Sequence, residues 1–468
     1  MMLVALTAAF AIVVQDQSAL RVSPQASASQ LTALWQGEVV ELRGERADYL
    51  KVYDYRRERG GYLKRDAVRP IGLAEVDAPE LLAVTRFLRD RPGSEALGIS
   101  YGAAYLKAVP ARALTAEPFD AIARMAERLA DAASGNGPRL PNAGAHIEVV
   151  QQFGIRMRTF ERNGRMHVCY DGELFHRVLS HGRASAEELA HAALGLTRPD
   201  CIDPNLGPLL RASFDDERGE VLDRIDVKEV SAMTRSRVHA RRAGVWASIA
   251  FNKSRKGERA GPPAQRALDE LLAVRVNDLG EDRQSEYVDA VLRVSAVRWA
   301  AVTAVTQTGP LILSTTPGEP GQTCLSLETS QRRRAAPLVR RCTYGVVFTA
   351  SAQVIRQGPA LVLAVQPLES WRELWVFHQK AGVWTIDVLS PGADEPELGY
   401  VEFAGYVPET RRLLIAREVK NRGRVLRRFE VLRLDDLALI RFASTPDLLR
   451  DFGRWQDVNW RRNTLSLH

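Results

Sequence analysis

Gly98-Ile99-Ser100-Tyr101-Gly102 reads G-x-S-x-G, a pattern whose glycines permit a strained strand-to-helix turn that exposes a nucleophilic serine. Such a turn needs a buried strand just before it. Arg91-Pro92-Gly93-Ser94-Glu95-Ala96-Leu97 is no such strand, although a helix over Ala103–Val109 fits the far side. His167, His176, His181 and His191 are available as a base, and their spacing selects none of them. The pattern therefore reads first as glycines at a helix entry, with Ser100 the one candidate nucleophile. H-E-x-x-H, the P-loop and G-x-G-x-x-G after a strand do not occur. His176, His181 and His191 stand five and ten residues apart, so no pair sits at i, i+4 to share a metal. Asp215-Asp216-Glu217 reads as a solvated acidic helix start rather than a calcium site. Neither a metal nor a cofactor is expected.

Four cysteines, Cys169, Cys201, Cys324 and Cys342, form no C-x-x-C, which leaves zinc knuckles and thioredoxin-type sites without support. They allow three pairings. The local one, Cys169–Cys201 with Cys324–Cys342, closes moderate loops worth about 3 kcal/mol each, and four free thiols are the alternative. The run Met2–Val14 is apolar apart from Thr7 and too short for a membrane-spanning helix, which needs about 20 residues. It suits the apolar part of a secretory signal, with Ala9-Phe10-Ala11 as a cleavage site, although a basic start is missing. Residues 1–14 are accordingly read as a signal segment, and the chain as periplasmic or otherwise extracytoplasmic. The competing reading starts the first strand of the next domain at Ala11–Val14. No later run suggests a membrane span.

The chain has 468 residues, 46% apolar and 26% charged, which excludes wholesale disorder and fibrous structure. That length allows about three domains. A net charge of +7 from 64 basic and 57 acidic residues excludes a polycation but leaves room for a local basic face. Arg332, Arg333 and Arg334, with Arg340 and Arg341, fall between Cys324 and Cys342. Lys420, Arg422, Arg424, Arg427 and Arg428 fall in an expected hairpin, and neither cluster contains an acid. On a common rim they would attract an anionic partner such as an acidic polymer, lipid headgroups or an acidic protein; apart, they are solvated hairpin tips. No nucleic-acid partner is expected, because aromatic residues do not interleave with the basic ones and export removes the chain from the genome.

Residues 17–70 carry five short pieces with strand character: Ser18–Val22, Gln36–Leu42, Tyr49–Tyr53, Gly61–Leu63 and Asp66–Val68. Their order resembles the bacterial SH3 (SH3b) family, which opens on an A-L-N-V-R-like strand and closes on G-Y-V. Ala19-Leu20-Arg21 lacks the Asn-Val insert, Tyr49 stands where the family has Trp, and Gly61-Tyr62-Leu63 fits the closing motif. The resemblance covers about a ninth of the chain and implies a small β-barrel that binds cell-wall peptidoglycan or protein peptides outside the cytoplasm. Trp35, Tyr49, Tyr53, Tyr55 and Tyr62 are the candidate ligand groove, with barrel core as the competing role for Tyr49 and Tyr62. Arg56, Arg57 and Arg59 read as a solvated hairpin tip.

Residues 75–298 read as mainly helical, with a hairpin near 153–170 turned by Asn163-Gly164. Asp77-Ala78-Pro79-Glu80 starts one helix, one ends near Gly135-Asn136-Gly137, and Ser185-x-x-Glu188 is a capping box. Residues 299–468 read as antiparallel strands. Within them Leu361–Pro367, Leu374–His378 and Val383–Leu389 are echoed about 40 residues on, which suits a propeller-like array or a meander. The expected class is a multidomain α+β protein. The expected function is that of an exported envelope protein acting as a non-enzymatic binding module for peptidoglycan or an envelope protein. A serine hydrolase using Ser100 and an interaction scaffold built on the β-rich end are the alternatives.

Overall fold

The computed structural model describes residues 9–135, 140–162, 164–280, 284–303, 310–329, 336–355, 359–392, 398–421 and 423–463. The fold is mixed α/β, with several sheets and none closed into a barrel. The chain forms two compact units, residues 1–207 with 224–230, and residues 208–223 with 231–468.

The N-terminal unit starts with β1 (Ala9–Val13), β2 (Ser18–Arg21), β3 (Gln30–Leu34), β4 (Val39–Arg46), β5 (Tyr49–Asp54), β6 (Arg59–Lys64) and β7 (Val68–Ile71). They form one sheet in the order β3-β2-β6-β5-β4-β1-β7. Four of the expected pieces contain strands, the fifth is a 3-10 turn at Arg65–Ala67 that leads into β7 from Val68, and two further strands join them. β3 lies in a stretch whose polar residues read as loop. β1 lies in the run assigned to a signal, and it pairs with both β4 and β7, Ala11 facing Val40 on one side and Pro70 on the other. Ala11 and Val13 pack with Leu20, Leu34, Val52 and Leu63, whereas Ile12 packs with Leu81, Tyr101 and Tyr105. A strand buried on both faces is continuously apolar, which a short run alone does not distinguish from a signal. Cleavage after Ala11 would cut β1 in two, so Ala9–Val13 belongs to the sheet; residues 1–8 lie outside the described residues.

α1 (Ala78–Arg89), α2 (Glu95–Ala108), α3 (Glu117–Ala133), α4 (Ala143–Gln151), the hairpin β8 (Met157–Arg162) and β9 (Arg165–Tyr170), α5 (Glu173–Ser180) and α6 (Ala186–Leu196) complete this unit. Ile122, Met125 and Leu129 recur at helical spacing in α3 and are fully buried. The Ser185–Glu188 capping box forms at the start of α6. Asp77 does not cap α1; its carboxylate accepts from the Ala74 N–H at 2.9 Å. His146, Val149 and Val150 form the buried stripe of α4, which precedes the hairpin. Asn163, Asn136 and Gly137 lie outside the described residues.

The C-terminal unit holds α7 (Pro208–Asp223), α8 (Ala232–Arg255), α9 (Gly261–Leu272) and α10 (Gln284–Val297). The expected helical stretch 75–298 is thus shared between the two units. β10 (Leu311–Pro317), β11 (Thr323–Thr329) and β12 (Val339–Thr343) make a three-stranded sheet. β13 (Val346–Ile355), β14 (Ala360–Leu368), β15 (Trp371–Lys380), β16 (Val383–Leu389), β17 (Leu398–Val407), β18 (Arg412–Asn421), β19 (Arg424–Arg433) and β20 (Leu439–Ala443) make an eight-stranded one, followed by α11 (Arg450–Trp455) and α12 (Val458–Asn463). The stretches that echo each other are β14–β16 and β17–β19. They share one sheet, joined where Trp371 and Arg372 run parallel to Gly399 and Tyr400. β15 forks there, because from Leu374 onward it pairs with β16 instead. Val362, Leu374 and Val376 of the first meander share a core with Val401, Leu413 and Ile415 of the second. Trp375 and Phe377, on the opposite face of β15, pack on Leu325 and Leu327 of the three-stranded sheet.

Disulfides join Cys169 to Cys201 and Cys324 to Cys342, the local pairing. They close separations of 32 and 18 residues. Replacing both members of either pair by serine is expected to cost about 3–4 kcal/mol, slightly more for the longer loop. Denaturant midpoints with the slope held constant measure it; a loss below about 1 kcal/mol would contradict the loop-closure account.

Candidate functional site

On β5, Leu50 and Val52 point into the sheet core, so Lys51 and Tyr53 face outward. Register sets Tyr53 opposite Glu41 of β4, and Lys51 opposite Tyr62 of β6, which in turn faces Arg21 of β2. The Tyr53 and Tyr55 rings meet edge to face at 5.0 Å between centroids. The Arg43 guanidinium lies 3.8 Å from the Tyr53 ring centroid and donates to Glu41 Oε2 at 2.7 Å. Tyr55 Oη donates to the same carboxylate at 3.1 Å. Arg43 holds the Glu41 carboxyl below its ordinary pKa, so the face carries a formal anion beside a cation stacked on an aromatic ring. Tyr55 is 60% exposed.

Of the five expected groove residues, Tyr53, Tyr55 and Tyr62 therefore belong to one outer face. Tyr49 is buried, with no hydrogen-bond partner for its hydroxyl among the described residues, and Trp35 packs against the helical core. Glu41 and Arg43 went unrecognised as members of this face, because the register shift between Leu42 and Gly44 breaks the alternation and counting by twos back from the β4–β5 turn sends both to the opposite face. The arginine-rich tip is not loosely solvated. Arg57 reaches Glu38 at 2.9 Å and Asp54 at 2.7 Å, both acids being buried, and Arg56 reaches Glu38 and Glu148.

Ser100 is fully buried inside α2, its hydroxyl 2.5 Å from Gly37 O and 2.9 Å from Ala96 O. The strand-turn-helix context of a nucleophile is absent, because the helix begins before the motif, at Glu95. The motif's glycines serve packing instead. A Cβ on Gly98 would lie 2.3 Å from Met125 Sδ, and one on Gly102 would lie 2.6 Å from Ile122 Cγ1, both on α3. His176 is exposed, the His181 ring accepts from the Arg183 N–H, and His191 faces Asp120 and Glu187 at 3.7 and 3.9 Å.

Among the described residues of the C-terminal unit, two of the buried polar clusters are ionic networks around Asp215 and Glu402. Asp215, expected on a solvated acidic helix start, is fully buried in the middle of α7 and meets Arg218 at 2.9 Å, Arg211 at 3.2 Å and Asn252 at 3.1 Å. Burial raises its carboxyl and lowers the Arg218 guanidinium to about 10. At the fork of β15, Glu402 Oε1 accepts from Arg298 Nε at 2.7 Å and Arg372 Nη2 at 2.6 Å. The Arg372 guanidinium carbon lies 5.2 Å from the Tyr400 ring centroid, and Tyr400 Oη donates to Glu418 at 2.8 Å. Arg298, Trp299, Ser351, Gln353, Glu402 and Phe403 line a space of about 20 Å³ beside this cluster.

The basic clusters of the C-terminal third are largely paired where they are described. Lys420 grips both Asp289 oxygens at 2.7 and 2.8 Å, Arg427 meets Glu418 at 2.5 Å and Arg428 meets Glu430 at 2.9 Å. The acids come from α10 and from the hairpin itself, Glu418 and Glu430 each lying two residues outside the cluster. Arg341 lies over the Trp375 ring at 4.7 Å, while Arg340 and Arg424 are exposed. Arg332, Arg333, Arg334 and Arg422 lie outside the described residues. Comparison with known proteins gives no match: no family model, no curated protein and no solved structure corresponds to this chain.

Proposed function

We propose that this is an exported bacterial envelope protein that acts by binding, and that the outer face of its seven-stranded sheet is the ligand surface. The observation carrying this reading is the assembly of Tyr53, Tyr55, Arg43 and Glu41, whose rings, cation and anion suit a sugar–peptide polymer such as peptidoglycan. An aromatic ring stacks on a sugar face while Glu41 and Arg43 address the charged ends of the stem peptide. Support also comes from the two disulfides, which suit an oxidising compartment, and from the order of short sequence motifs that resembles bacterial SH3 modules. The SH3-like reading keeps β2 and β4–β7 as its strands, with β1 and β3 as additions. The reading is non-enzymatic, and the burial of Ser100 counts against the serine-hydrolase alternative.

Tyr55→Ala in the full chain is expected to cut retention on isolated cell-wall sacculi by about tenfold, which corresponds to about 1.4 kcal/mol. The exposed position keeps unfolding stability within about 0.5 kcal/mol of the parent. Retention equal to the parent's would remove the wall-binding reading.

A further inference from the structure

His167 and Cys169 stand two apart on β9 and so project from the same face of the strand. The disulfide brings Cys201 to the same point. One ligand-capable atom from each of the three lies within 4.8 Å of the other two, the one grouping of this kind among the described residues. His167 and Cys169 are buried, and the Phe160 ring lies against the imidazole at 5.4 Å between centroids. Asp200, next to Cys201, approaches His167 Nε2 to 3.6 Å. Arg198 Nε donates to Asp200 at 3.1 Å, and the same guanidinium is anchored on Asp131 at 2.5 and 3.0 Å.

We propose that reduction of the Cys169–Cys201 disulfide converts this cluster into a zinc site. The ligands are the two thiolates and an imidazole nitrogen of His167, with water in the fourth position; Asp200 stands outside this group, beside the imidazole. Two thiolates, one imidazole and one water are a ligand set that tetrahedral zinc accepts. A dithiol reductant supplies the two electrons: its thiolate attacks one cysteine sulfur, the other leaves as thiolate, and the second thiol of the reductant resolves the mixed disulfide, ending as a disulfide itself. Zinc then displaces the thiol protons to solvent. The sulfurs separate from bonding distance to roughly 3.8 Å, as zinc–sulfur bonds of about 2.3 Å in a tetrahedron require. Zinc with two thiolates carries no net charge, and Asp200, held by Arg198, stands beside the imidazole as its outer partner. Metal binding and the disulfide exclude each other, so the site is gated by redox state.

Cobalt(II) titration of the full chain, reduced with a dithiol and then desalted without air, tests this. One cobalt per chain is expected, with tetrahedral d–d bands and thiolate charge transfer that zinc abolishes; the oxidised protein gives neither. A Cys324→Ser/Cys342→Ser variant is expected to retain the signal. His167→Ala is expected to weaken binding by more than about tenfold, and Cys201→Ser to remove the charge-transfer band of its sulfur. Should His167→Ala fail to fold by circular dichroism, His167→Gln takes its place. Absence of a tetrahedral spectrum in the reduced parent overturns the site, as does one that survives loss of both Cys169 and Cys201 or is indifferent to both His167 variants.

Discussion

Gly37→Ala is expected to destabilise the N-terminal unit by about 3 kcal/mol or more, far beyond an ordinary loop substitution. Gly37 has φ +92°, a left-handed conformation that residues with a Cβ adopt at a cost. A Cβ there would also lie 2.6 Å from Ala96 O and 2.8 Å from Ala96 C, backbone atoms of α2 that no rotamer change can move away. The close approach exists because Ser100, one turn further along α2, bonds the Gly37 carbonyl. Ser100→Ala removes that bond and leaves a buried carbonyl with one donor fewer, which costs about 1–3 kcal/mol. Chemical denaturation combined with hydrogen exchange on β1 and α2 measures both. Gly37→Ala within about 0.5 kcal/mol of the parent would show that this helix and strand do not meet so closely. The pair of variants also separates the roles of the motif: a serine that matters through the Gly37 carbonyl shifts stability, whereas a nucleophile shifts activity.

What could be foreseen from sequence follows from how local each determinant is. The capping box of α6 needs only Ser185 and Glu188, three residues apart, and it forms as expected. The buried stripe of α3 is equally local. β1 is different, because a thirteen-residue run that is apolar apart from Thr7 suits both a signal and a strand covered on two faces; its place in the sheet rests on pairing with β4 and β7, distant in sequence. Ser100 shows the same limit from the other side. The glycines of G-x-S-x-G read as a helix entry, whereas they lie inside α2, where Met125 and Ile122 of another helix approach them. Asp215 sits among acidic neighbours, and its burial depends on Arg211, Arg218 and Asn252, three residues that share no motif. The outer aromatic face was half visible: alternation marked Tyr53, while Arg43 joins it across a register shift in β4 between Leu42 and Gly44. Such a bulge re-aims side chains that strict alternation would send elsewhere.

Glu402→Gln is expected to cost about 3–5 kcal/mol in the C-terminal unit, the range for stripping one partner from a buried ionic cluster. Glu402 is the anion shared by Arg298 and Arg372, all three buried, with Arg372 fully so. Once it is neutral, two guanidinium ions remain in a low-dielectric interior with weaker acceptors. Replacing the whole set by Arg298→Met, Arg372→Met and Glu402→Leu is expected to cost less than the sum of the single changes, since the desolvation of all three charges then disappears together. Acid sharpens the test. Burial alone would raise the Glu402 carboxyl, but Arg298 and Arg372 outweigh it and hold the group below its ordinary value. A depressed carboxylate stabilises the fold above its unfolded pKa of about 4.3 and loses that contribution as pH falls through the folded value. Glu418 runs the other way: burial raises it despite Arg427 and the Tyr400 hydroxyl. Between its raised value and about 4.3, folded chains bind the proton more readily than unfolded ones, so acidification there favours folding. The parent is therefore expected to lose less stability down to about pH 4.5 than below it, and its advantage over Glu402→Gln to shrink only in the lower range. Denaturant titrations of both proteins from about pH 7 to pH 3 read this directly. An advantage independent of pH throughout would mean that Glu402 does not hold the two arginines as an anion.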